Sequence, residues 1–143
     1  FLWNQQSLFF TFQDLLGVCK LLIPWGLTQS YQSAADLLSL ATGNEFDEDT
    51  LVIVAKRVRL LERAFNAIRG VRRKNEKPPR KLFEKAVSDG KFKGEVLHAE
   101  QFEEMLSDYY KQLGYDTEGV PLREVFENLG LLGEWELFNT QMH

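Results

Sequence analysis

A chain of 143 residues is long enough to bury one hydrophobic core, and 44% hydrophobic with 27% charged residues is an ordinary globular balance. The formal net charge of -4 excludes a generally basic, nucleic-acid-binding protein. The single cysteine, Cys19, excludes an internal disulfide, and no apolar run approaches the roughly 20 residues that cross a bilayer. We therefore expect a cytoplasmic protein with no membrane and no nucleic-acid partner.

Apolar residues recur at spacings of three and four along almost the whole chain, which is the pattern of helices. The first predicted helix, which carries Leu8 and Phe12, breaks at Gly17. The second runs from Tyr31 to Ala41 and closes at Gly43, a residue type that commonly ends helices.

The clearest helix prediction covers Asp47 to Arg69, where acids crowd the start and arginines lie toward the end. Spacings of three and four make one apolar stripe along it, the candidate for its buried face. The stripe consists of Leu51, Val54, Val58, Leu61, Phe65 and Ile68. Gly70 terminates the helix.

The segment RRKNEKPPR, residues 72–80, contains no apolar residue except its prolines and predicts a loop. A short helix near Lys81 to Val87, a helix from Glu100 to Leu113 and a last helix from Pro121 to Asn128 follow. Nowhere does the sequence alternate as a strand would. The prediction is an all-α bundle of roughly six helices.

The segment FQDLLGVCK, from Phe12 to Lys20, holds the candidate site. On an unbroken helix the five residues from Asp14 to Cys19 rotate by about 500°, which points the two side chains about 140° apart. A break at Gly17 removes that restriction and frees backbone N–H groups to donate to a polar ligand or to cluster sulfurs. The alternative, favoured by spacing alone, is that Cys19 is a small buried hydrophobe, the usual environment of a free cysteine.

Four blocks of the sequence resemble the tungsten-containing aldehyde:ferredoxin oxidoreductase family, in the same order and from about Phe12 to Leu131. FQDLLGVCK is similar to the family's Asp-x-x-Gly-x-Cys motif, and LERAFNAIRG at 61–70 to its LERxFNxREG. RKNEKPPR at 73–80 stands where the family has RxDDxLPxR, and GYDTEGVP with the later LGL resembles GWDxxGxP…LGL. This chain departs from the family at Asn75-Glu76, which replace the paired aspartates, and at Pro78-Pro79.

The resemblance implies roles for four residues of the first block. In this family three cysteines of an upstream segment and the cysteine of this motif bind one four-iron cluster, so Cys19 matches the fourth ligand of a 4Fe-4S cluster. Asp14 matches the aspartate that accepts hydrogen bonds from a pterin ring. Val18 and Lys20 match positions whose backbone contacts the pterin.

The family's reaction is the oxidation of aldehydes to carboxylic acids at a tungsten (or molybdenum) bis-pterin centre, with electrons passed through the 4Fe-4S cluster to ferredoxin. The sequence begins at Phe1 without methionine, inside an apolar stretch, and we expect a fragment of a larger enzyme. Residues 1–143 then form its C-terminal helical domain, with the N-terminal cofactor domain and the other cluster cysteines absent. We expect the isolated fragment to be inactive and to bind neither tungstopterin (or molybdopterin) nor the cluster.

Positive charge is concentrated in the middle of the chain. Twelve lysines and arginines lie between Lys56 and Lys85 against three acids. The segment from Lys56 to Lys81 is therefore a candidate docking surface for ferredoxin, which is typically acidic. The alternative function is a non-catalytic helical interaction domain that binds an acidic partner through the same basic segment.

Overall fold

The computed structural model describes residues 2–19 and 31–142. Seven α-helices follow one another in these ranges: α1 (Leu2–Leu15), α2 (Tyr31–Thr42), α3 (Glu48–Ile68), α4 (Lys81–Glu84), α5 (Ala99–Leu113), α6 (Arg123–Asn128) and α7 (Leu132–Met142). Within the described ranges there is no strand, only an isolated antiparallel bridge between Tyr115 and Pro121. The all-α prediction is confirmed. None of the described helices is long and apolar enough to cross a membrane.

Two predicted element ends are wrong, and one helix was not predicted. The predicted helix Lys81 to Val87 has only one turn, because the backbone is extended at Lys85. The last predicted helix begins at Arg123 because Pro121 instead closes the bridge that precedes it. The additional helix α7 was missed because its second residue is Gly133, a poor helix former.

The chain forms two compact units, and the first contains residues 1–62 together with 128–131. Its core is a cluster of buried side chains from α1, α2 and α3: Leu8, Phe12, Ala34, Ala35, Leu51 and Ala55. The Tyr31 ring packs against this cluster, with its centroid 5.5 Å from that of Phe9 and 5.6 Å from that of Phe12. The small side chains of Ala34 and Ala35 on α2 thus share one buried cluster with Phe12 of α1.

The second unit contains residues 63–127 and 132–143. Phe126 of α6 is 0% exposed and stacks on Phe138 of α7 with ring centroids 5.6 Å apart. Trp135 lies 5.4 Å from the same Phe126 ring. Leu106 and Tyr110 supply the buried face of α5. Aromatic packing therefore fixes α6 and α7, which are too short to be stable alone.

The predicted apolar stripe of α3 is only partly the face that the helix buries. Leu51 is buried, Val54, Val58 and Ile68 are partly buried, and Leu61 and Phe65 are exposed. The side chains that α3 buries are Leu51, Ala55, Leu60, Ala64 and Ala67. From Ala55 to Leu60 the helix rotates by about 140° beyond one full turn, so its two halves bury different faces. The prediction assumed that one face is buried along the whole helix and therefore missed this change of face. The change occurs near residue 62, where the first unit ends. Phe65, assigned to the predicted stripe, is 54% exposed.

The start of α3 is set by a capping interaction that agrees with the sequence pattern. Asp47 Oδ1 accepts a hydrogen bond of 2.7 Å from the backbone N–H of Thr50. The hydrogen bond with the Thr50 side chain, followed by the one from the Thr50 backbone, holds the pKa of the Asp47 carboxyl below its ordinary value. Glu48 and Asp49 add negative charge to the first turn, where the helix dipole favours it.

Candidate functional site

The end of α1 has the geometry of a Schellman motif, which turns the chain out of the helix. Gly17 has φ +67°, its N–H donates to the Asp14 carbonyl at 3.1 Å, and the Val18 N–H donates to the Gln13 carbonyl at 3.0 Å. A Cβ built at Gly17 would meet nothing within 4 Å, so backbone conformation rather than crowding favours glycine here. The predicted break at Gly17 is confirmed.

This turn presents the candidate site residues at the surface. Both Asp14 and Cys19 are exposed, and Val18 is partly buried. The interpretation of Cys19 as a buried hydrophobe is therefore wrong for this chain. Lys20, the fourth candidate, lies outside the described residues.

The donor set of this segment fits part of a cluster site rather than a complete one. A 4Fe-4S cluster is held by four thiolates, and this chain has one cysteine. Among residues 2–19 and 31–142, no three or more His, Cys, Asp and Glu side chains are grouped as metal ligands. An exposed thiol after a helix end fits one ligand of a site completed by residues elsewhere.

A second constellation, which the sequence analysis did not find, surrounds Arg63 of α3. Its guanidinium forms an ion pair with Glu76, and its Nε donates to the Gly119 carbonyl at 2.5 Å. The Tyr110 hydroxyl donates to Glu76 Oε2 at 2.5 Å. Burial, followed by the hydrogen bond to Glu76 and the charge of Glu76, raises the pKa of Tyr110 to about 12. Tyr110 therefore remains a neutral donor at physiological pH.

The turn that Arg63 contacts is closed by its own hydrogen bonds. Asp116 Oδ1 accepts from the backbone N–H groups of Glu118 at 2.9 Å and Val120 at 2.8 Å. The Asp116 N–H donates to the Val120 carbonyl at 2.8 Å, and the Arg73 N–H donates to the Glu118 carbonyl at 3.0 Å. The loop after α3 and the turn after α5 are thereby joined through backbone and side chain together.

A family model described as "Aldehyde ferredoxin oxidoreductase, domains 2 & 3" matches residues 1–131. The chain belongs to the aldehyde ferredoxin oxidoreductase family. It is similar to the tungsten-containing aldehyde ferredoxin oxidoreductase of Thermococcus kodakarensis, with 32% identity over 120 residues. That match covers 82% of this chain and 19% of the relative, so the chain spans about a fifth of the relative's length.

Two further proteins are similar to this chain. The aliphatic sulfonate oxidoreductase, WOR-like subunit, of Pyrococcus furiosus is 35% identical over 60 residues, which cover 42% of this chain and 9% of that subunit. Among solved structures, the active site complex BamBC of benzoyl coenzyme A reductase, in complex with 1,5-dienoyl-CoA, matches with 31% identity and a TM-score of 0.63. That match covers 78% of this chain and 15% of the other. The chain is thus part of an oxidoreductase family.

The Arg63 network joins three of the family-like blocks of the sequence. Arg63 lies in LERAFNAIRG, Glu76 in RKNEKPPR and Gly119 in GYDTEGVP. At the departure from the family's paired aspartates, Asn75 accepts a 2.9 Å hydrogen bond from the Arg72 N–H, and Glu76 carries the carboxylate that pairs with Arg63. This departure therefore keeps the negative charge that the network requires.

Two arginines of the basic segment, Arg72 and Arg73, form hydrogen bonds and an ion pair within the protein. Arg72 Nη1 donates to the Ala67 carbonyl at 2.6 Å. Arg73 Nε donates to the Glu103 carboxylate at 2.8 Å, and its Nη2 to the Glu103 carbonyl at 2.6 Å. Lys74, by contrast, is exposed. The assignment of the segment from Lys56 to Lys81 to ferredoxin docking stays a prediction. Its exposed cations, which include Lys74, Arg69 and Arg80, are the ones able to contact a partner.

Replacing Arg63 with methionine is expected to lower the free energy of unfolding by about 2–4 kcal/mol, because it strands a partly buried carboxylate. The side chains of Arg63 and Glu76 are 13% and 25% exposed. Adding Glu76→Gln to this variant should recover part of the loss, since the stranded charge is removed. Urea unfolding of the three proteins measures these differences.

The control for this prediction is the exposed pair Arg80–Glu84, whose side chains are 90% and 55% exposed. Arg80→Met is expected to change the free energy of unfolding by at most about 0.5 kcal/mol. Equal effects of Arg63→Met and Arg80→Met would contradict a structural role for the Arg63 network.

Proposed function

We propose that residues 1–143 form the C-terminal helical domain of an enzyme that oxidises aldehydes to carboxylic acids at a tungsten or molybdenum bis-pterin centre. Its electrons pass through a 4Fe-4S cluster to ferredoxin. The observation that carries this proposal is an exposed thiol, Cys19, five residues after an exposed carboxylate, Asp14, on a segment turned by Gly17. Family membership and the names of the relatives support it.

Each residue of the segment has a distinct task in the proposed site. The Cys19 thiolate supplies one of the cluster's four protein ligands. The Asp14 carboxylate would accept hydrogen bonds from pterin N–H groups, and the backbone at Val18 and Lys20 would contact the pterin. When bound, the metal centre and cluster supply the redox chemistry, and the protein supplies binding and orientation. One short segment would therefore contribute to binding both the pterin and the 4Fe-4S cluster.

The exposed position of Cys19 suits this role. A thiolate must be reachable by the cluster iron, and the exposed position of Cys19 allows this. The backbone N–H groups of Gly17 and Val18, which the sequence analysis expected to be free, instead donate within the turn and are not donors to cluster sulfurs. Two backbone hydrogen bonds close the turn at Gly17 and fix the direction in which the chain leaves α1. The separate 143-residue chain, with one thiolate, should bind neither cofactor and have no activity.

Elemental analysis of the full-length protein, purified without oxygen, tests the proposed function. About four irons and one tungsten or molybdenum per chain are expected, together with aldehyde-dependent reduction of ferredoxin. The separately produced 143-residue chain, analysed in parallel, is the control and should contain neither iron nor heavy metal. A full-length protein without iron and without tungsten or molybdenum would refute the proposal and favour the interaction-domain alternative.

A further inference from the structure

One aspartate in the loop between α4 and α5 precedes the residue type that most favours a reaction of its side chain with the backbone. Asp89 is the only aspartate of the sequence that is followed by glycine, and no asparagine is followed by glycine. Both Asp89 and Gly90 are exposed. An aspartyl side chain can cyclise onto the backbone nitrogen of the next residue. Glycine favours this reaction, because it has no side chain to hinder the approach.

The structure places the two reacting groups of this pair next to each other. The Gly90 backbone N–H donates to Asp89 Oδ1 at 2.7 Å, so the carboxyl carbon bonded to that oxygen also lies close to the nitrogen. Gly90 has φ +86°, and a Cβ built there would meet nothing within 4 Å. The backbone at Gly90 can therefore adjust as a ring closes, because glycine has wide conformational freedom and no neighbouring atom obstructs it.

We propose that Asp89 is a site of spontaneous isomerisation to isoaspartate. The Gly90 nitrogen bonds to Cγ of the protonated Asp89 carboxyl, and the hydroxyl of that carboxyl leaves with the proton of the nitrogen as one water. Water then adds to the cyclic imide at either carbonyl. Cleavage of the bond from Cγ to nitrogen restores aspartate, whereas cleavage at the backbone carbonyl leaves the chain running through Cγ. The atoms balance without another reactant, and one carboxyl group remains in either product.

Asp116 provides an internal reference, because it also lies in a turn but its carboxylate is engaged elsewhere. Its Oδ1 accepts hydrogen bonds from the backbone N–H groups of Glu118 at 2.9 Å and Val120 at 2.8 Å. The residue that follows it is Thr117, whose branched side chain is stiff and crowds the backbone nitrogen. We therefore expect Asp116 to remain aspartate under conditions in which Asp89 isomerises.

Isomerisation lengthens the backbone inside a turn that hydrogen bonds close. The Val87 N–H donates to the Glu95 carbonyl, and the Gly94 N–H donates to the Val87 carbonyl, each at 2.9 Å. The isoaspartyl linkage adds one atom to the chain between these residues, which disturbs the distances and angles that the two bonds need. We expect faster hydrogen exchange at the Val87 and Gly94 amides of the isomerised protein.

Prolonged incubation of the native full-length protein at neutral pH, followed by peptide mapping, tests the proposal. Isoaspartate is expected to accumulate at residue 89, as a second peptide of equal mass and different retention, while the peptide with Asp116 stays unchanged. Asp89→Asn should accelerate the accumulation, because the amide cyclises with loss of ammonia more readily than the carboxyl does with loss of water. Asp89→Glu should abolish it, because the longer side chain closes the larger ring poorly.

Two results would overturn the proposal. In the first, Asp89 remains aspartate in the native protein although the same peptide isomerises after denaturation, so the folded protein protects the site. In the second, Asp89 and Asp116 isomerise equally, so the geometry at Gly90 has no influence. The measurement requires neither a metal nor ferredoxin, and its outcome is therefore independent of the proposed function.

Discussion

Replacing Cys19 with serine in the full-length protein is expected to remove most of its iron and to abolish aldehyde-dependent reduction of ferredoxin. A serine hydroxyl is a poor ligand for cluster iron, and the loss of one of the four thiolates weakens the binding of the cluster. The folded chain should tolerate the change, because Cys19 is exposed and surface substitutions usually alter stability by less than about 0.5 kcal/mol. Iron analysis, the ferredoxin assay and urea unfolding of the variant give the three measurements.

Leu15→Ala is the matched control for the cysteine variant, because Leu15 is 46% exposed and lies at the end of the same helix. It should keep its iron. A Cys19→Ser protein with full iron and normal electron transfer would show that Cys19 is not a ligand. Unchanged urea unfolding would exclude loss of fold as the cause of any iron loss.

Gly119→Ala is expected to lower the free energy of unfolding by about 3 kcal/mol or more. Gly119 has φ +79°, and a Cβ there would overlap the Arg63 guanidinium and lie 2.7 Å from Tyr110 Cζ. Backbone strain therefore adds to the displacement of two side chains that hold Glu76. Urea unfolding measures the cost, and hydrogen exchange at the Val120 amide reports the local loss of the turn.

Two other glycines separate the causes of that effect. Gly94 has φ +89° with nothing within 4 Å of a built Cβ, so Gly94→Ala should cost only about 1–2 kcal/mol, the strain of the left-handed backbone. Gly133 lies in α7 with nothing within 4 Å, and Gly133→Ala should stabilise the protein by about 0.5–1 kcal/mol. If Gly119→Ala lowered the free energy of unfolding no more than Gly94→Ala does, the close packing of Gly119 against Arg63 would contribute nothing to stability.

Local signals in the sequence predicted the part of the candidate site that depends on local geometry. The break at Gly17 follows from one glycine at the end of an apolar repeat, and the structure has the expected left-handed turn there. Whether Cys19 is buried could not be predicted from the same local signals. It depends on which other segments pack over the turn, and spacing in one segment does not contain that information.

The Arg63 network and the faces of α3 show what local patterns cannot supply. Arg63 lies 13 residues from Glu76 and 56 from Gly119, so no helical or strand period connects them. Buried alanines decided the faces of α3, and alanine carries a weak hydrophobic signal. The larger residues Leu61 and Phe65 contributed most to the predicted stripe, although both are exposed.

The spacing of the Arg63 partners also sets an order of events during synthesis. The ribosome produces Glu76 13 residues after Arg63 and Gly119 56 residues after it. At about 5–20 residues per second, roughly 3–11 s separate the synthesis of Arg63 from that of Gly119. Only about 1–3 s separate the synthesis of Arg63 from that of Glu76. Glu76 is therefore available to pair with Arg63 before the residues of the turn have been synthesised.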